Sequence, residues 1–129
     1  MDATNGCELH ICHLYPREMN IYGDHGNLLV LRHRAETRGI NVRVSDYHPG
    51  QAFPCDVDLL LGGGGQDSGQ LAVQSDLPRV AAPLRELVEA GAAALMVCGM
   101  YQLFGNYFRT ATGETIEGLG ILNMHTVAG

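Results

Sequence analysis

The residues best placed to do covalent chemistry lie around Cys98. An apolar run, Ala93 to Val97, stops there, Gly99 follows at once, and a helix-like segment with Met100, Tyr101 and Gln102 begins. A thiol at a sharp strand-to-helix turn is lifted above a sheet, where the following amides and the helix N-terminus stabilise a thiolate and a developing oxyanion. The chain carries a second amide-rich stretch, Gly62 to Gly65, at the end of another apolar run. It lacks the Lys-Ser/Thr of a phosphate-binding loop and the spacing of a dinucleotide fingerprint. Beside a cysteine elbow it suits an oxyanion hole. A cysteine without such a setting is a small buried hydrophobe in the ordinary case, and that reading is kept for Cys7, Cys12 and Cys55.

Both corners need a scaffold, and the order of elements supplies one. Residues 8 to 14 alternate as a first strand, and Leu28, Leu31 and Ala35 fall at helical spacing behind Asp24 or Asn27 as cap, with Gly39 as the stop. Ile40, Val42 and Val44 mark a second strand, and the run before Gly62 a third. From Gln66 to Ala90 the text is helical except at Pro78 and Pro83, which predicts a short helix followed by a second one with Pro83 in its first turn and Gly91 past its end. Ala93 to Val97 is the fourth strand. Alternating strands and helices predict an α/β fold: a flavodoxin-like, mostly parallel sheet with helices on both faces and functional loops beyond the carboxyl ends of the strands. Both glycine-bearing corners fall there. After Gly105, a turn at Thr112-Gly113 separates short strands, and Gly118 and Gly120 bracket another.

Bulk properties agree with one domain. The chain has 129 residues, 46% of them hydrophobic, enough to fill a single core. A net charge of −6 with only 8 Lys and Arg offers no footprint for nucleic acid or an anionic membrane surface. No stretch approaches the about 18 uninterrupted apolar residues of a membrane span, so no membrane insertion and a cytoplasmic location are expected. The four cysteines form no CxxC pair and no Cys/His cluster at zinc spacing, so neither a disulfide framework nor a metal site is expected.

The stretch Cys98-Gly99-Met100-Tyr101-Gln102 resembles the C-x-G-x-Q nucleophile elbow of class I (triad) glutamine amidotransferases, in the form used by their CobB/CobQ-like, cobyric acid synthase branch. Three further segments, residues 20–27, 62–70 and 118–122, are together similar to the glutaminase subunits of lipid II isoglutaminyl synthases. The resemblance spans about residue 8 to about residue 124. It implies that Cys98 attacks the side-chain amide of L-glutamine, forms a thioester and releases ammonia. It also implies that the amide of Gly99 and one from Gly63 or Gly64, with Gly64 favoured, bind the oxyanion, and that Gln102 supports the site. No cofactor is implied in this chain. The implied partner is a Mur-ligase-like subunit, MurT, which would use ATP and Mg to activate the α-carboxylate of D-glutamate in lipid II. The segment from Asn20 to Asn27 is a candidate for part of the contact surface.

Two departures from the family's pattern matter. Met100 stands where the family usually has glycine, two residues after the nucleophile, and is expected to strain or reshape the elbow. The triad histidine lies further along the family's chains than Gly129, so residues 1–129 are expected to be an amidotransferase domain incomplete at its C-terminus and to turn over little glutamine alone. His10, His13, His25, His33, His48 and His125 are read as surface or satisfied histidines, and Arg109 does not match the family's substrate-binding arginine. Two other readings stay open. One is an amidotransferase of the cobyric acid synthase type; the other is a non-catalytic interaction module that keeps the fold.

Overall fold

A computed structural model of the chain describes residues 6–20, 24–65 and 67–129. Ile21, Tyr22 and Gly23 of the candidate contact segment, and Gln66 of the glycine-rich segment, lie outside the described residues.

Strands β1 (Glu8–Leu14), β2 (Asn41–Tyr47), β3 (Leu59–Gly62) and β4 (Ala93–Met96) form one sheet in the order β2-β1-β3-β4. Every pairing in it is parallel. This is the flavodoxin-like order as far as four strands carry it. Helix α1 (Asp24–Glu36) links β1 to β2, and α2 (Asp67–Glu89) links β3 to β4. Because the order reverses direction at β1, right-handed crossovers put the two helices on opposite faces.

The side-chain pattern bears this out. Alternate residues of a strand face opposite ways, and Ile11 and Leu61 pack with Leu28 of α1 in one cluster. Cys12, Leu14 and Leu60 join Val73, Leu77, Val80 and Leu84 of α2 in the other, larger one. Buried on both faces, β3 reads as a continuous apolar run, whereas β1 keeps His10 and His13 among its buried residues.

One expectation fails. Residues 67–89 form a single helix with Pro78 and Pro83 inside it, not two helices. An interior proline costs about 3 kcal/mol, whereas each of the four buried aliphatic side chains of α2 contributes about 1.5 to 3 kcal/mol on leaving water. Packing against the sheet therefore outweighs the two breakers. Pro78 is exposed and Pro83 only half-buried, so neither ring interrupts the apolar stripe.

Past β4, the short helix α3 (Gly99–Phe104) leads into β5 (Tyr107–Arg109), β6 (Thr115–Glu117) and β7 (His125–Val127). These form a separate sheet in the order β6-β5-β7, with β5 antiparallel to β6 across the expected turn and parallel to β7. Its link to the main body is dense. Leu119 N–H donates to Leu103 O at 2.7 Å and Leu122 N–H to Phe104 O at 2.9 Å, while Ile116 and Leu119 enter the larger core. Gly118 passes so close to the Gly105 carbonyl that no Cβ fits there. Among the described residues, no helix is long and apolar enough to cross a membrane.

Candidate active site

Sheet register brings the two corners together. Leu14 pairs with Gly62 and Gly62 with Met96, so the segments after β1, β3 and β4 leave the sheet side by side at its carboxyl edge. Val97 N–H donates to Gly62 O at 2.9 Å and extends the β3–β4 contact up to Cys98. There the chain turns. Cys98 has φ 51° and ψ −111° and stands immediately before α3. A non-glycine residue at positive φ away from the left-handed helical well is strained, by about 1 to 3 kcal/mol, and persists only where its surroundings enforce it. Here the enforcing contacts are the Gly62 bond just before it and Gln102 N–H donating to Cys98 O at 3.0 Å just after.

Accessibility separates the thiols. Cys98, Cys7 and Cys55 are exposed, and Cys12 is buried in β1. Burial pushes the Cys12 thiol up to about 12, and the carboxylate of Asp46 adds to the effect. Cys12 is therefore inert at neutral pH, as the sequence suggests. Cys7 and Cys55 are not buried, contrary to expectation, because they lie in the polar segments before β1 and between β2 and β3 rather than in a strand.

The glycine loop approaches the elbow backbone to backbone. A Cβ placed on Gly99 would sit 3.4 Å from the Gly65 nitrogen and 2.7 Å from Met19 Cε, so a side chain at 99 would push the two loops apart. Met100 N–H donates to Gly63 O at 3.2 Å. The Gly64 N–H points elsewhere: it donates to Asp24 Oδ2 at 3.1 Å. Asp24 is almost fully buried at the start of α1, and its carboxyl group fills the space where a Cβ on Gly63 would go. A carboxylate at a helix N-terminus is favoured by the dipole, and this one also holds the glycine loop. No signal in the sequence marks it beyond a cap, because its partner lies 40 residues away.

Met100, where the family usually has glycine, packs beneath the elbow. It is wholly buried, and a Cβ on Gly62 would lie 2.7 Å from its Cγ and 2.8 Å from Met96 Sδ. The glycine at the end of β3 thus leaves the volume that Met100 fills. Gln102 sits one helical turn beyond Cys98, on the same side of α3. Its Oε1 accepts from Gln70 Nε2 at 3.2 Å. Gln70, a residue of α2 that is almost fully buried, had no assigned role in the sequence reading.

Among the described residues, no imidazole is hydrogen-bonded to Cys98. His10 is satisfied, with ring nitrogens 3.0 Å from Asp56 O and 2.7 Å from Ser45 Oγ. His125 stacks on Tyr107 at 4.8 Å, and His33 is exposed on α1. His13 is different from the expectation: it is fully buried on β1, with neither ring nitrogen partnered among the described residues, and stacks on His25 at 6.3 Å. Burial lowers its pKa, against the opposing pull of Asp46. Arg109 lies over the Tyr107 ring at 5.8 Å. Among the described residues, no group of three or more His, Cys, Asp or Glu could hold a metal ion.

A profile of the CobB/CobQ-like glutamine amidotransferase domain matches residues 10–129. The chain is 38% identical over 120 residues to the lipid II isoglutaminyl synthase (glutamine-hydrolyzing) subunit GatD of Staphylococcus aureus (strain N315), an alignment covering 92% of this chain and 49% of that protein. It is 37% identical over 127 residues to the subunit of the same name from Streptococcus pneumoniae (strain ATCC BAA-255 / R6), covering 98% of this chain and 49% of that protein. The chain spans about half the length of the curated relatives it matches.

Proposed function

Because the chain belongs to the CobB/CobQ-like glutamine amidotransferase domain family, matched from residue 10 to residue 129, we propose that it carries the nucleophile half of a glutaminase. The observation that carries this reading is the positive φ of Cys98 between β4 and α3, with Gly99 packed against the glycine loop. In this reading the Cys98 thiolate adds to the side-chain carbonyl carbon of L-glutamine, and the carbonyl π electrons move onto oxygen. The Gly99 amide is the first donor to that oxyanion. Gly64 is the second, its N–H exchanging Asp24 Oδ2 for the substrate oxygen, while Gly63 accepts from Met100 and fixes the loop. The tetrahedral adduct collapses when its nitrogen takes up a proton and leaves as ammonia. Water then adds to the thioester, expels the thiolate and yields glutamate. Losing one oxyanion donor costs about 2.7 to 4 kcal/mol of barrier. In this reading a histidine carries the proton, as the triad of the family implies.

Ammonia released into neutral water is protonated and loses its nucleophilicity, so the reading includes a partner that receives it directly. We take that partner to be a Mur-ligase-like MurT protein; the likeness to two proteins named as subunits of a lipid II isoglutaminyl synthase supports a partner subunit. It would use ATP and Mg to activate the D-glutamate α-carboxylate of lipid II, giving D-isoglutamine. The Asn20 to Asn27 segment is proposed as part of the contact: of its described residues His25, Gly26 and Asn27 are exposed, and Asn20 Oδ1 accepts from His25 N–H at 2.8 Å. The test is to co-express the full reading frame with a Mur-ligase-like partner and follow amidation of lipid II with L-glutamine as nitrogen donor. Amidation that needs both proteins and Cys98 supports the reading. Amidation unchanged by Cys98→Ala contradicts it.

A further inference from the structure

Gln70 reaches the elbow from a different element and touches it twice. Its Nε2 donates to Gln102 Oε1 at 3.2 Å, and the same nitrogen lies 2.8 Å from where a Cβ on Gly99 would be. It is only 3% exposed, so its end of the contact is shielded from water. A primary amide offers one oxygen acceptor and two N–H donors. With its oxygen engaged by Gln70, Gln102 has its two N–H donors left for whatever binds beside Cys98.

We propose that Gln70 is a positioning residue that fixes the polarity of Gln102, so that Gln102 presents hydrogen-bond donors to an oxygen-bearing group of the bound glutamine. This rests on the glutaminase reading. Gly99 also lies against Gly65 of the glycine loop, so Gln70 acts where that loop and the elbow meet. A purely structural role for Gln70 needs only that some hydrogen bond joins the two side chains, in either direction. A positioning role needs this direction.

The two roles separate in Gln70→Glu. The side chain keeps its size, but an ionised carboxylate only accepts, so Gln102 turns its NH2 toward position 70 and shows its oxygen to the site. Gln102→Glu gives the complementary case: Gln70 keeps an acceptor, and the site loses its donors. The measurement is the rate of Cys98 alkylation by the glutamine analogue 6-diazo-5-oxo-L-norleucine as a function of its concentration. Iodoacetamide serves as a reagent that needs no glutamine site, and thermal midpoints check folding. Both variants are expected to raise the half-saturating concentration of the analogue by about tenfold, the effect of one lost hydrogen bond, with the iodoacetamide rate unchanged. Gln70→Met, which removes the bond without adding charge, is expected to raise it too and provides the reading should Gln70→Glu fail to fold. A folded Gln70→Glu or Gln70→Met protein that saturates at the wild-type concentration overturns the proposal. Wild-type chain that shows no saturation overturns the glutaminase reading itself, before any variant is compared, and the role of Gln70 falls with it.

Discussion

At Cys98 the backbone spends stability on placing a thiol. Replacing it by glycine, which populates positive φ freely, is expected to raise the unfolding free energy by about 1 kcal/mol or more while abolishing labelling of the site, as read from denaturation midpoints and adduct mass. Cys98→Gly that is less stable than wild type would mean the conformation is not strained. Gly63 makes the opposite case. A Cβ there meets the Asp24 carboxyl group, so Gly63→Ala must displace either the glycine loop or the start of α1. It is expected to lose about 1 to 3 kcal/mol, the range for strained or overpacked positions, and to slow alkylation of Cys98 without changing its accessibility to iodoacetamide. The residues that could react were legible in the sequence because chemistry at an elbow demands certain types at certain spacings. Asp24 and Gln70 were not, because each acts on a residue more than thirty positions away, and no local pattern encodes such a contact.

The elements themselves were legible where period and punctuation agree. Leu28 and Ala35 of α1 are buried as their spacing predicts, and all four parallel strands fall where apolar runs meet glycine or polar breaks. Helix α2 runs through its prolines because the sheet that α2 covers outweighs local propensity. Its exposed Pro78 leaves the Gln74 carbonyl without a helical N–H. Pro78→Ala is therefore expected to restore that bond and stabilise the chain by about 1 to 3 kcal/mol, measured by urea titration. No gain would mean that the helix has adapted to the proline by another route.

Across the whole molecule, one buried carboxylate ties four segments together. Asp76 of α2 accepts from the hydroxyls of Tyr15 and Tyr47 at 2.8 Å each, from Gly50 N–H at 3.0 Å and from Arg79 at 3.1 Å. Burial alone would raise its pKa, but the donors of Tyr47, Gly50, Tyr15 and Arg79 outweigh it and hold the group below its ordinary 3.8. A depressed carboxylate stabilises the fold above its unfolded value and ceases to as pH falls through the folded one. Acid unfolding below about pH 4 should accordingly be shallower in Asp76→Asn than in wild type. Asp76→Ala, which strands two phenols and an amide, is expected to cost about 3 to 5 kcal/mol at neutral pH. The same network holds β1, β2 and α2 in the arrangement from which the site rises. That rigidity is global, and composition and periodicity carry no trace of it.

The central claim is that Cys98 is a nucleophile built for the amide of glutamine. The most direct measurement is to treat the protein with 6-diazo-5-oxo-L-norleucine, with and without excess L-glutamine, and locate the adduct by peptide mass spectrometry. The account predicts one adduct, on Cys98, suppressed by L-glutamine but not by D-glutamine. An adduct on Cys7 or Cys55 in preference to Cys98, or labelling of Cys98 that L-glutamine leaves unchanged, would contradict it.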